Sequence, residues 1–143
     1  MKKVFFVLLV LMSLEAKNYE IKMLDMDENG ESMVFDPGYL HIEVGDSVTF
    51  LPTHKSHYVQ SKVIPEGASH FLSELDEEAT FTFDNEGIYI YVCPPHQMMS
   101  MIGIIQVGNA VNIQKVREMI PKLEGRAMTN KGRLSEYAKQ IKE

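Results

Sequence analysis

From Tyr19 to Ile105 the chain is a succession of short β-like runs cut by turn signals. Tyr19, Ile21 and Met23 alternate with Glu20 and Lys22. Met33-Val34-Phe35 stops at Asp36-Pro37-Gly38, Tyr39 to Val44 alternates until Gly45-Asp46, and Val48, Phe50 and Pro52 follow. Ala79 to Phe83 is rich in β-formers and ends at Asp84-Asn85-Glu86-Gly87. Ile88 to Cys93 and Ile102 to Val107 are continuous runs with almost no polar residue. Short strands spaced roughly 8–12 residues apart, with turn residues between them, indicate a sandwich or a barrel. The two continuous runs are expected to be its most buried strands.

Near residue 110 the period changes. Ile113, Val116 and Ile120 fall at i, i+3 and i+7, one face of a helix. Asn109 or Asn112 is placed to cap it, and Pro121 is expected to end or kink it. Leu134, Tyr137, Ala138 and Ile141 form a second helical stripe, with Gly125 and Gly132 bracketing the connection. These helices are expected to cover the open side of the sheets. Charge divides at the same place: residues 17–111 carry 4 basic and 15 acidic side chains, whereas 112–143 carry 8 basic and 4 acidic. A length of 143 residues, with 45 % hydrophobic and 24 % charged, fits one globular domain. The formal net charge of −6 argues against nucleic acid as a partner, because phosphate repels an acidic surface.

The first sixteen residues stand apart. Met1-Lys2-Lys3 is a basic start, Val4 to Met12 an unbroken apolar run, and Ser13-Leu14-Glu15-Ala16 leads into polar Lys17-Asn18. That is the layout of a secretory signal, and nine apolar residues are too few to span a bilayer, which takes roughly 20. The expected organisation is a signal over 1–16, cleaved after Ala16, and one mature domain over 17–143 with a helical extension from about 110. Export makes the single cysteine, Cys93, conspicuous, since a lone thiol in an oxidising compartment is open to oxidation. It pairs between chains, lies buried and inert, or holds a metal.

One constellation carries chemistry. Cys93-Pro94-Pro95-His96-Gln97-Met98-Met99-Ser100-Met101 places a thiol, an imidazole and thioethers in one loop at the end of an apolar run. Soft sulfur ligands together with imidazole select copper, and two His with one Cys and a weak axial Met make an electron-transfer site. The second His must come from elsewhere. His57, just past the run Val48–Leu51, is the best donor; His54, three residues earlier, competes. His41, within a strand, and His70, in an acidic stretch, are expected to be solvated or locally bonded. The axial position is open between Met99 and Met101. Plain core filling by methionine is the alternative reading of the loop.

The chain resembles the cupredoxins, and most closely the pseudoazurins. The resemblance runs from residue 17 to 143. It is carried by Ser32-Met33-Val34-Phe35-Asp36-Pro37, Gly45-Asp46-Ser47-Val48-Thr49-Phe50, Val63-Ile64-Pro65-Glu66-Gly67-Ala68, Gly87-Ile88-Tyr89, the loop Cys93–Met101 and Met101-Ile102-Gly103-Ile104-Ile105-Gln106-Val107-Gly108. The two C-terminal helices fit the pseudoazurins rather than azurin or plastocyanin. The resemblance implies an all-β, eight-stranded Greek-key sandwich with two C-terminal helices and one type 1 copper at one end. It carries the ligand roles to His57, Cys93, His96 and Met101, the last by its spacing from Cys93. The chain departs from the family where Asn usually follows the upstream His and Thr follows the Cys, tied to one another: here those residues are Tyr58 and Pro94.

The function so implied is that of a soluble periplasmic electron carrier rather than an enzyme, with a periplasmic copper carrier as the alternative. Pro94, Pro95, Met98 and Met99 are expected to form an apolar face around His96. A redox partner protein, such as a reductase or a cytochrome, would dock there on a monomeric carrier. The stretch His70–Glu78 has four acidic residues and no lysine. Steering is therefore expected to be salt-sensitive and toward a basic partner.

Overall fold

The computed structural model describes residues 15–143; residues 1–14, with the apolar run of the expected export signal, lie outside the described residues. Eight strands follow in order: β1 Asn18–Met26, β2 Ser32–Asp36, β3 Tyr39–Ile42, β4 Ser47–Leu51, β5 Gln60–Val63, β6 Ala79–Thr82, β7 Gly87–Val92 and β8 Ile102–Val107. They form two four-stranded sheets, ordered β2-β1-β4-β6 and β3-β8-β7-β5. Each sheet holds one parallel pair, β1 with β4 and β3 with β8, and is otherwise antiparallel. β5 is the strand that periodicity does not mark. Gln60-Ser61-Lys62-Val63 is three-quarters polar, and only its alternating burial, Ser61 and Val63 inward, shows its strand character.

The second sheet is buried on both faces, which is why β7 and β8 read as continuous apolar runs: every residue of both is buried. One face meets the first sheet in a core that includes Ile21, Met23, Phe35, Phe50, Phe71, Tyr89 and Tyr91. Tyr91 lies edge-on to Phe35 and Phe50, with ring centroids 4.8 and 5.1 Å away. The other face, Ile88, Ile90, Val92, Ile102 and Ile104, is covered by Val116, Leu123 and Leu134. These come from helices α1, Ile113–Glu124, and α2, Arg133–Ala138.

Two details differ from the expectations. Asn112 occupies the cap position of α1 but caps nothing with its side chain. Its amide instead pairs with β7, accepting Ile88 N–H at 2.7 Å and donating to Ile88 O at 2.9 Å, as a neighbouring strand would. Pro121 does not end α1, which runs on to Glu124. Proline removes one helical hydrogen bond, but here it falls in the last turn, where buried Leu123 anchors the helix to the sheet. Among the described residues, no helix is long and apolar enough to cross a membrane.

Candidate metal centre

The site is built on the β7–β8 hairpin, at one end of the main core. The ladder that pairs Val92 with Ile102 is extended by Cys93 N–H donating to Met101 O at 3.0 Å, so Cys93 and Met101 face each other across the two strands. Between them Pro94 and Pro95, with φ fixed by their rings, open a 3₁₀ turn over Pro94–Met99. His96 N–H donates to Cys93 O at 3.0 Å, and Met101 N–H donates to His96 O at 3.2 Å. Ser100 closes the turn in the left-handed region, φ 58°. Backbone bonds alone thus hold Cys93, His96 and Met101 together.

His57 arrives from the β4–β5 connection and is fully buried. Its N–H donates to Asp76 Oδ1 at 3.1 Å, and its carbonyl accepts Asp76 N–H at 2.9 Å, so one acidic residue grips the His57 backbone at both ends. Its Nδ1 lies 3.7 Å from Cys93 Sγ, and His96 Nδ1 lies 3.4 Å from the same sulfur. The ligand atoms of His57, Cys93 and His96 all lie within 4.8 Å of one another. Metal–sulfur and metal–nitrogen bonds of roughly 2.3 and 2.0 Å, meeting near 120°, hold sulfur and nitrogen about 3.7 Å apart. The triangle has that size. Met101 is fully buried in the same cluster as Cys93, whereas Met99 is 38 % exposed.

The protonation states suit metal capture. Burial pushes the Cys93 thiol up, and the Asp76 charge adds to this; backbone N–H groups of Tyr58 and His96 pull the other way. Burial, and then the neighbouring His57, hold His96 below the ordinary imidazole value, against an opposite pull from Asp25. Without metal the thiol keeps its proton at neutral pH and His96 is neutral, with a lone pair ready for a ligand bond. The other histidines are engaged elsewhere. His54 Nδ1 accepts Asp25 N–H at 2.8 Å, His41 Nε2 lies 2.9 Å from Gly108 O, and His70 Nδ1 lies 2.9 Å from Ser61 Oγ.

Over residues 21–108 the chain matches the copper binding proteins of the plastocyanin/azurin family. It is 41 % identical over 97 residues to pseudoazurin of Paracoccus pantotrophus, an alignment that covers 66 % of this chain and 66 % of that protein. The native pseudoazurin of Hyphomicrobium denitrificans superposes with a TM-score of 0.78 at 32 % identity, covering 88 % of this chain and 99 % of that one. The chain belongs to the pseudoazurin family. The pseudoazurin of Methylobacterium extorquens AM1 superposes with a TM-score of 0.65 at 31 % identity, over 76 % of this chain and 98 % of that one. The members are copper-binding electron-transfer proteins of cupredoxin fold, not enzymes, and this chain presents the donor set that such a copper needs.

Tyr58 and Pro94 stand where the pseudoazurin pattern has a side-chain tie, and two acidic residues outside that motif bond His57. Asp76 grips the His57 backbone, and Asp25 Oδ1 accepts the His57 Nε2–H at 2.8 Å. The loop has a second brace from the segment between α1 and α2. Met128 N–H and Thr129 N–H both donate to Met98 O, at 2.7 and 3.3 Å. Ser100 Oγ donates to Thr129 O at 2.9 Å, and Asn130 Nδ2 to Met99 O at 3.0 Å. Buried Arg133 donates to Ser100 O at 3.0 Å and to Met33 O at 2.7 Å. Sequence reasoning found none of these supports. For Asp25 a signal was present: the inward alternation of Tyr19, Ile21 and Met23 continues onto it, and a charge at an inward position invites a partner. For Asp76, Asn130 and Arg133 the bonds that reach His57 and the loop go to backbone groups, which no side-chain pattern encodes.

Proposed function

We propose that this protein is an exported single-electron carrier, delivered to the periplasm by residues 1–16 and active as the single domain 17–143. His57, Cys93, His96 and Met101 hold one type 1 copper. The sulfur–nitrogen–nitrogen triangle of Cys93, His57 and His96 is the observation that carries this reading. Copper bound there supplies a one-electron couple between Cu(I) and Cu(II). Cys93 would give up its proton and offer a thiolate; His57 and His96 would offer Nδ1, and Met101 a thioether. The hairpin, the Asp76 grip and the α1–α2 brace hold these donors in place, so little of the protein has to rearrange when the charge changes.

His96 leads outward. Its ring is partly exposed in a turn with exposed Pro95, Met98 and Met99, an apolar face for a brief encounter with a redox partner, since such contacts are small. Exposed Glu74, Glu77 and Glu78 flank Asp76, and exposed Asp25 and Glu28 lie at and just past the end of β1. This face favours a basic partner and a rate that falls with salt.

The test is addition of Cu(II) to the protein lacking residues 1–16, with visible and electron spin resonance spectra, repeated on Cys93→Ser. An intense thiolate-to-copper band and a narrow copper hyperfine splitting, both lost in the variant, are the expected result. A pale complex with ordinary splitting would overturn the electron-carrier reading in favour of a copper carrier.

A further inference from the structure

Asp25 is the unexpected member of the site. The pleat of β1 turns Tyr19, Ile21 and Met23 inward and brings Asp25 to the same face at the strand's end. Its Oδ1 accepts the Nε2–H of His57 at 2.8 Å; the His57 side chain is fully buried and that of Asp25 is 55 % exposed. The backbone of Asp25 is itself fixed. Its N–H donates to His54 Nδ1 at 2.8 Å, and His54 N–H donates to Met23 O at 3.2 Å. His54 thereby acts on the site at one remove, through the residue that bonds the ligand.

A neutral imidazole carries one proton. Committing it to Nε2 leaves the lone pair on Nδ1, the nitrogen that faces Cys93 Sγ. A carboxylate bonded to the far nitrogen of a ligating imidazole fixes its tautomer and ring orientation and raises its basicity. Its negative charge also favours the more highly charged of two metal ions at the near nitrogen. We infer that Asp25 is a positioning residue that locks His57 as the Nε2–H tautomer and lowers the reduction potential of the copper couple. The inference rests on the type 1 reading above and extends it to what sets the potential.

Two variants separate the two roles. Asp25→Asn keeps an acceptor oxygen and removes the charge; Asp25→Ala removes both. In potentiometric titrations of the copper-loaded proteins, the Cu(II)/Cu(I) ratio at a fixed applied potential is expected to fall about tenfold in Asp25→Asn, the lower end of what outer-shell partners do to metal affinity. For a one-electron couple that is a rise of about 59 mV. In the copper-free proteins, nitrogen-15 spectra of His57 are expected to show Nε2–H in the wild type and in Asp25→Asn, and a mixture of tautomers in Asp25→Ala. Equal potentials in all three proteins, or a wild-type His57 protonated on Nδ1, would overturn the inference. A wild type without the thiolate-to-copper band would overturn the type 1 reading instead, and the copper-free spectra would still decide the tautomer.

Discussion

Replacing Asp76 by Ala tests how the protein holds His57 when no metal does. Asp76 Oδ1 accepts the N–H of a fully buried residue at 3.1 Å. A hydrogen bond to a charged group contributes roughly 1.5–3 kcal/mol, and its loss strands a buried donor. With Asp76 itself half-buried, about 2 kcal/mol is a fair figure. Asp76 also sits at φ 58°, which Asp and Asn tolerate better than Ala, adding about 1 kcal/mol. The sum for Asp76→Ala is about 3 kcal/mol. Unfolding entropy of about 2.1 cal/mol per kelvin per residue, applied to residues 17–143, gives about 0.27 kcal/mol per kelvin, so Tm should fall by roughly 11 °C. Asp76→Asn keeps both the acceptor and the tolerated backbone and should lose less than about 1 kcal/mol. The assay is thermal unfolding of the copper-free proteins by far-ultraviolet circular dichroism. An Asp76→Ala variant that melts within about 2 °C of the wild type, or an Asp76→Asn variant that falls equally far, would refute the reasoning.

Three further outcomes are expected. Because burial raises the Cys93 thiol and His96 is held neutral, copper uptake near pH 7 should release about one proton per ion, read with a pH indicator, and Cys93→Ser should release none. Burial, followed by the charge of Asp84, pushes Tyr89 up to about 12 from the ordinary tyrosine value of 10.0. Its contribution to stability is present below pH 10 and lost as pH rises toward 12, because the unfolded chain gives up that proton first; urea midpoints across this range should fall, and less so in Tyr89→Phe. Arg133→Ala takes the guanidinium away from the carbonyls of Met33, Ser32 and Ser100 and should cost about 3 kcal/mol. Because Ser100 adjoins Met101, this variant should also shift the visible spectrum of the copper-loaded protein, which a change confined to α2 would not.

The parts of the fold legible in sequence are those where one residue type reports one environment. β7 and β8 announce double burial by being continuously apolar, and Val116, Leu123 and Leu134 are the helix faces that make it so. Cys93, His96 and Met101 are legible together because one short loop carries them. His57 was separable from His54 only by an argument from position, and the structure supplies the physical difference: one Nδ1 faces the sulfur and the other accepts a backbone N–H. β5 escaped because polar residues pair as well as apolar ones when the ladder is made of backbone. The helical period beside Asn109 and Asn112 suggests a cap at either, yet the strand beside Asn112 offers its side chain two backbone partners at once. Asp76 and Arg133 escape for a related reason, since their bonds to His57 and to the loop go to peptide groups identical at every position of the chain.

The α1–α2 segment supplies no ligand, yet it closes on Met98, Met99 and Ser100, three consecutive residues of the loop that does. Binding that favours the ordered loop is therefore shared with residues 128–133, in the sense that opening either one breaks the same bonds. Amide exchange along Met128–Arg133 should slow when metal binds at the opposite ends of those bonds, and a protease directed at exposed Met128 should cut the loaded protein more slowly than the empty one. A stretch of chain with no chemistry of its own becomes a gauge of occupancy, legible from outside without touching the metal.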